Sequence, residues 1–136
     1  MPTSSNLDDA IVAKLLGDAP LMALATDGVA WDIAPQNATK FVIVSLLGGL
    51  DDQMFGARAF ENPTYLVKFV EKSTSVVNAK SAAARIDAVL DRATVTAAGY
   101  TPAVMSRTER VRYTEVDEAN ARWQHLGAMF ELSAAS

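Results

Sequence analysis

The chain has no cysteine and a single histidine, His125, among its 136 residues. Without thiols there is no disulfide, no thiolate nucleophile, no cysteine-ligated zinc and no iron–sulfur cluster. A histidine-based triad or facial metal site has only His125 to build on. Basic residues are outnumbered: 12 Lys and Arg face 16 Asp and Glu, for a formal net charge of −4. That balance argues against a nucleic-acid binder working through a broad basic face. Long apolar runs are missing too. The longest, Phe41 to Leu50, is interrupted by Ser45 and the Gly48-Gly49 pair, whereas a bilayer span needs about 20 residues. The opening Met1-Pro2-Thr3-Ser4-Ser5-Asn6-Leu7-Asp8-Asp9 has neither a basic nor an apolar segment, so no secretory signal is expected. These absences lead us to expect a soluble protein made and used in a cytoplasm, or in something assembled there.

What is present is the composition of one globular domain. Half the residues are hydrophobic and 21% are charged, and a chain of this size buries about two-thirds of its extended surface. Leu7, Ala10, Ile11, Lys14 and Leu15 follow helical spacing, with Ser5 or Asn6 as cap and Gly17 as stop. Pro20 opens a short second helix to Ala25, and Val29 to Ile33 has the character of a short strand. Phe41 to Leu47 is β-branched and predicts a strand buried on both faces. Thr64 to Lys72 alternates, with Tyr65, Val67 and Phe69 on one face and Leu66, Lys68 and Val70 on the other. Ser73 to Ala93 carries an alanine-rich apolar stripe and predicts a long helix. Strands over 103–114 and 121–132, joined by the acidic Glu115–Asn120 loop, complete the chain as a hairpin. The expectation is an α+β domain spanning 1–136, in the order α-α-β-β-α-β-β. It has an antiparallel sheet of about four strands, with the long and amino-terminal helices on one face. Residues 1–6 are expected to lie outside the ordered fold, and 48–63 to form a long loop.

A search for chemistry finds little. His125 lies on a predicted strand, where a lone histidine is far more often a packing or surface residue; Glu131 or Asp117 would have to supply its acid. The pairs Asp8-Asp9, Asp51-Asp52 and Asp117-Glu118 lack EF-hand spacing. Gly48-Gly49 lacks the Gly-Lys-Ser/Thr of a phosphate loop, and no Gly-x-Ser-x-Gly elbow occurs. No catalytic residue, cofactor or metal is expected. Two surface features stand out instead. Arg107, Arg110 and Arg112, with Arg122 on the partner strand, gather basic charge on one hairpin of an acidic chain. They are either a solvated face paired with Glu109 and the acidic loop or one half of a complementary protein contact. The 48–63 segment carries Leu50, Met54, Phe55 and Phe60 beside Asp51 and Asp52. Those apolar side chains either fold back on the core or cover a neighbouring subunit.

The order of these elements resembles the tail-completion, or tail-terminator, proteins of long-tailed bacteriophages and gene transfer agents. The likeness starts with the helices at Leu7–Leu16 and Pro20–Ala25 and the stretch Val29-Ala30-Trp31-Asp32-Ile33-Ala34-Pro35-Gln36. It continues through Thr64–Lys72 and the helix ending Ala84-Arg85-Ile86-Asp87-Ala88-Val89-Leu90. It closes with the strand around Arg107–Tyr113 and Trp123-Gln124-His125-Leu126-Gly127-Ala128-Met129-Phe130-Glu131-Leu132. Thr39-Lys40-Phe41 departs from the proline that the family often places before its first strand. The resemblance implies a virion structural protein in the neck, not an enzyme. It would form a ring, usually of six copies, that caps the tail tube, stops its growth and joins the tail to the head. It also implies partners: further copies of itself, the tail-tube protein and a head-completion or head-closure protein. DNA would be only passing cargo, and no membrane would be involved. A neck protein on the portal side, and a small cytoplasmic ligand-binding domain or enzyme, stay open as other readings.

Overall fold

The computed structural model describes residues 4–34, 36–48, 51–54, 57–61, 64–96, 103–132 and 134–135. Two helices open the chain, α1 (Ser4–Leu16) and α2 (Ala19–Leu24), followed by strands β1 (Val29–Trp31) and β2 (Lys40–Gly48). Next come β3 (Asp51–Met54), β4 (Ala57–Glu61), β5 (Thr64–Lys72), helix α3 (Val77–Leu90), β6 (Thr94–Val95), β7 (Ala103–Val116), β8 (Arg122–Leu132) and β9 (Ala134–Ala135). The class is α+β, as the sequence predicts. The main sheet has six strands rather than about four, in the order β1-β2-β5-β8-β7-β6. The two beyond four are the short edges β1, three residues within the short strand expected at Val29 to Ile33, and β6, two residues that were not anticipated.

Side-chain alternation explains the layers. Tyr65, Val67 and Phe69 of β5 are fully buried with Val42 and Val44 of β2 and with Leu126, Ala128 and Phe130 of β8. Against this face pack Ile11 and Leu15 of α1, Leu21 of α2, and Ala79, Ala82, Ile86 and Leu90 of α3. The alanines keep α3 close to the strands. Opposite them, Phe41, Ile43 and Val70 form a second small cluster with Ala38 and Trp123. That second cluster is why β2 reads as apolar on both faces. The helical layer is tied together by Asp18, which caps α2 by accepting the Leu21 N–H at 3.1 Å. The same carboxylate accepts Arg85 Nη2 of α3 at 2.6 Å and Nε at 3.0 Å. This hydrogen-bonded guanidinium holds the Asp18 carboxyl below its usual range.

β1 runs parallel to β2, with Val29 opposite Val42 and Trp31 opposite Val44. Parallel neighbours normally need a long crossover, but here residues 32–39 suffice. Asp32 and Asn37 take left-handed φ values of 57° and 62° within that turn. Asp27 fixes its base by accepting the Thr39 and Lys40 N–H groups at 2.9 and 3.1 Å.

Within the 48–63 segment, expected as a long loop, the described residues 51–54 and 57–61 are strands. β3 and β4 pair antiparallel as a hairpin, and β9 joins β4 through Phe60–Ala135 and Glu61–Ala134. The resulting order β3-β4-β9 repeats that of the strands they continue, β2, β5 and β8. Helix α1 likewise begins at Ser4, so residues 4–6, expected outside the fold, are helical.

Candidate assembly surface

β7 pairs with β8 from Met105–Leu132 to Val116–Arg122. In a regular strand Arg107 and Arg110, three residues apart, would face opposite ways. A bulge between Arg107 and Glu109 adds one residue and re-phases the alternation. Arg107, Arg110 and Arg112 then lie opposite Phe130, Ala128 and Leu126, and all three face α3. The partner of Arg107 and Arg110 is Asp87 of that helix, not Glu109 or the acidic loop. Arg107 Nη1 is 2.8 Å from Asp87 Oδ2, and Arg110 Nη1 is 3.6 Å from the same oxygen. The two guanidinium groups differ in setting: the Arg107 side chain is 28% exposed and that of Arg110 is 70% exposed. Arg107 also donates its backbone N–H to Asp91 Oδ1 at 3.0 Å, so it acts chiefly as a clamp between β7 and α3. Arg112 is exposed and makes no ion pair among the described residues.

Between α3 and β7 the small side chains of Ala83 and Ala84 leave a groove of about 450 Å³, bordered by Lys80, Asp87, Arg110 and Arg112. Three cations around one carboxylate, itself shared with Arg107, give the groove an excess of positive charge. Arg122 is set apart from this group. It sits opposite Val116 at the hairpin tip, four residues along β8 from the partner of Arg112, or roughly 13 Å at the usual strand rise. Of the arm residues singled out in the sequence, Asp51, Asp52 and Met54 lie on β3 and Phe60 on β4. Leu50 and Phe55 lie outside the described residues.

His125 faces the other side of the sheet. Its ring stacks on Tyr113 with centroids 4.3 Å apart and planes 13° from parallel. Nε2 lies 2.9 Å from Glu115 Oε1, so the acid is Glu115 rather than Glu131 or Asp117. Lys68 Nζ donates to the Tyr113 hydroxyl at 2.5 Å. Burial pulls the His125 pKa below its ordinary 6.5 and outweighs the opposing effect of the hydrogen bond that Glu115 accepts. Nδ1 is buried with no hydrogen-bond partner among the described residues. No group of three metal-ligating side chains occurs among the described residues. The arrangement is that of a packed imidazole beside an apolar groove of about 370 Å³ lined by Phe41, Ile43, Val70 and Trp123. Sequence reasoning missed Asp87, Lys80 and Glu115, whose roles depend on the bulge and on cross-strand register. Lys80 and Asp87, seven residues apart on α3, share a face by helical spacing, whereas nothing local marks Glu115.

No protein-family profile and no curated sequence matches the chain. Its fold does match solved structures. One is a chain from the virion of a native gene transfer agent particle, 21% identical, aligned over 98% of this chain and 97% of that one with a TM-score of 0.68. Another solved chain is 13% identical and aligns over 98% of this chain and 93% of its own length with a TM-score of 0.61. At such identities the likeness is one of fold.

Proposed function

We propose that this chain is a virion structural protein of a tailed phage-like particle. In finer terms it is the tail terminator, a ring of copies that caps the tail tube, stops its growth and presents a surface to the head-completion or head-closure protein. The observation that carries the reading is the full-length fold likeness to a gene transfer agent virion chain. It acts by surface rather than by turnover. A closed ring needs two different complementary patches on every copy, and the basic β7 side and the acidic residues of the β3 arm or of α1 are suited to be those patches. A ring of acidic subunits also leaves DNA free to pass, since few cations are offered to its phosphates.

Light scattering and negative-stain imaging of the purified chain, alone and with tail tubes of its particle, test this reading. The expected result is an annular oligomer that binds one end of the tube and halts its extension. A chain that stays monomeric in the presence of tubes, and leaves their length unchanged, overturns it.

A further inference from the structure

We propose that copies of this chain join strand to strand: β3 of one copy, bearing Asp51 and Asp52, adds to the free Arg110–Val116 edge of β7 in the next. This rests on the self-associating ring proposed above and specifies its contact.

The β7 edge is the starting point. Its first part is satisfied within the chain. Met105 donates to the Ala93 carbonyl at 2.9 Å and accepts from Arg92 N–H at 2.7 Å, and Arg107 N–H reaches Asp91. Beyond the bulge this cover stops. Asp117 N–H donates to the Ala121 carbonyl at 3.0 Å, which closes the hairpin and sets the phase of the ladder. Counting back in the antiparallel alternation, the backbone N–H and C=O groups of Arg110, Arg112, Thr114 and Val116 point away from β8. β6 pairs only with Ala103 and Val104, so no described strand meets these groups. An edge seven residues long, roughly 20 Å, is thus open to a further strand.

Charge then selects the occupant. Arg110 and Arg112 line the α3 side of this edge beside Lys80. A second β7 laid antiparallel over the whole of this edge would set Arg110 against Val116 and Arg112 against Thr114, so neither arginine would meet an acidic partner. An acidic strand is therefore favoured over a two-fold self-pairing. The chain owns such a strand in β3, Asp51-Asp52-Gln53-Met54. β3 is the end strand of its small sheet, so one of its edges has no partner among the described residues. Four residues span about 13 Å, within the length that β7 offers. Because β3-β4-β9 repeats the order β2-β5-β8, the β3 edge lies on the β2 side of the chain, away from β7. Complementary edges on opposite sides are what a head-to-tail contact requires. The pairing would run the small sheet of one copy into the large sheet of the next.

Two experiments test the pairing in the full chain. The first uses the absence of native cysteine: single cysteines at Asp51, Asp52 or Gln53 are combined with single cysteines at Arg110, Arg112 or Thr114 and oxidised. A ladder of disulfide-linked multimers from at least one double variant, absent from both parent singles, is expected. The second is a charge exchange. Asp51→Arg with Asp52→Arg, and separately Arg110→Asp with Arg112→Asp, should each lower association at least about tenfold. An equimolar mixture should restore it, because alternating copies place opposite charges at every contact. A wild-type ring with no cross-link and no restoration by mixing overturns the strand pairing and leaves the ring standing. Charge variants that keep the ring but lose the tube do the same, by moving the edge to another partner. A wild-type chain that never self-associates removes both.

Discussion

Gly127 is the position where space, rather than conformation, dictates the residue, and alanine there should be costly. A Cβ at Gly127 would stand 2.1 Å from the Val67 carbonyl oxygen, 2.5 Å from Lys68 Cα and 2.8 Å from Lys68 Cβ. Gly127 is the middle pair of the nine that join β5 to β8, so neither strand can swing aside from an end. Restoring ordinary contact requires the strands to part by about 1 Å at the centre of the sheet. Over-packing costs about 1–3 kcal/mol where side chains can yield. Two of these three atoms are backbone, so we expect about 3 kcal/mol or more. For a domain of this length that is a fall in Tm of roughly 10 °C. Gly28 supplies the control. Its φ is +85° and nothing lies within 4 Å of its Cβ position, so Gly28→Ala carries only the strain of a left-handed residue, about 1–2 kcal/mol. Urea denaturation of both variants, read at unchanged m, makes the comparison. If Gly127→Ala lies within about 1 kcal/mol of wild type, or is milder than Gly28→Ala, the reasoning fails.

Further outcomes follow from the same geometry. Because burial lowers the pKa of His125, the unfolded chain binds the proton more readily. The stability gained from the neutral ring is complete above about pH 6.5 and is lost as pH falls from there through the folded value. Between pH 7.5 and 5, urea midpoints of wild type should drop more than those of His125→Gln; equal slopes would refute this. Ile86→Ala removes a fully buried side chain between α3 and the sheet and should cost about 2–5 kcal/mol in the same assay. Arg110→Glu with Arg112→Glu should leave the urea midpoint within about 0.5 kcal/mol of wild type while weakening association and flattening its salt dependence. Adding Arg107→Glu should also lower the midpoint, because that side chain is half-buried against Asp87.

The parts legible in the sequence were those where one period repeats over many residues. The alternation of Thr64–Lys72 gave β5 to the residue, and the alanine stripe gave the existence of α3 but not its ends: the helix expected over Ser73 to Ala93 runs from Val77 to Leu90. β2 was legible because its neighbours cover it from both sides. β3 and β4 were not. Asp51-Asp52-Gln53 and Ala57-Arg58-Ala59 have little β propensity, and their strand character comes from pairing with each other and with β9. β6 is two residues held by β7, too short to leave a pattern. The arginine cluster was visible as composition, but its common orientation depends on the bulge beside Thr108 and its counter-ion on the packing of α3. Neither is written in local spacing.

Asp117 has a consequence beyond the turn it closes. One carboxylate accepts the Ala119 and Ala121 N–H groups at 2.9 Å each and the Trp123 indole N–H at 2.8 Å. The far end of the β7–β8 hairpin is thereby braced without help from the helices, and Arg122 projects from a tip whose shape is already settled. A protruding corner stiffened in this way surrenders little freedom on contact, so a docking partner would meet a preformed key rather than a whip.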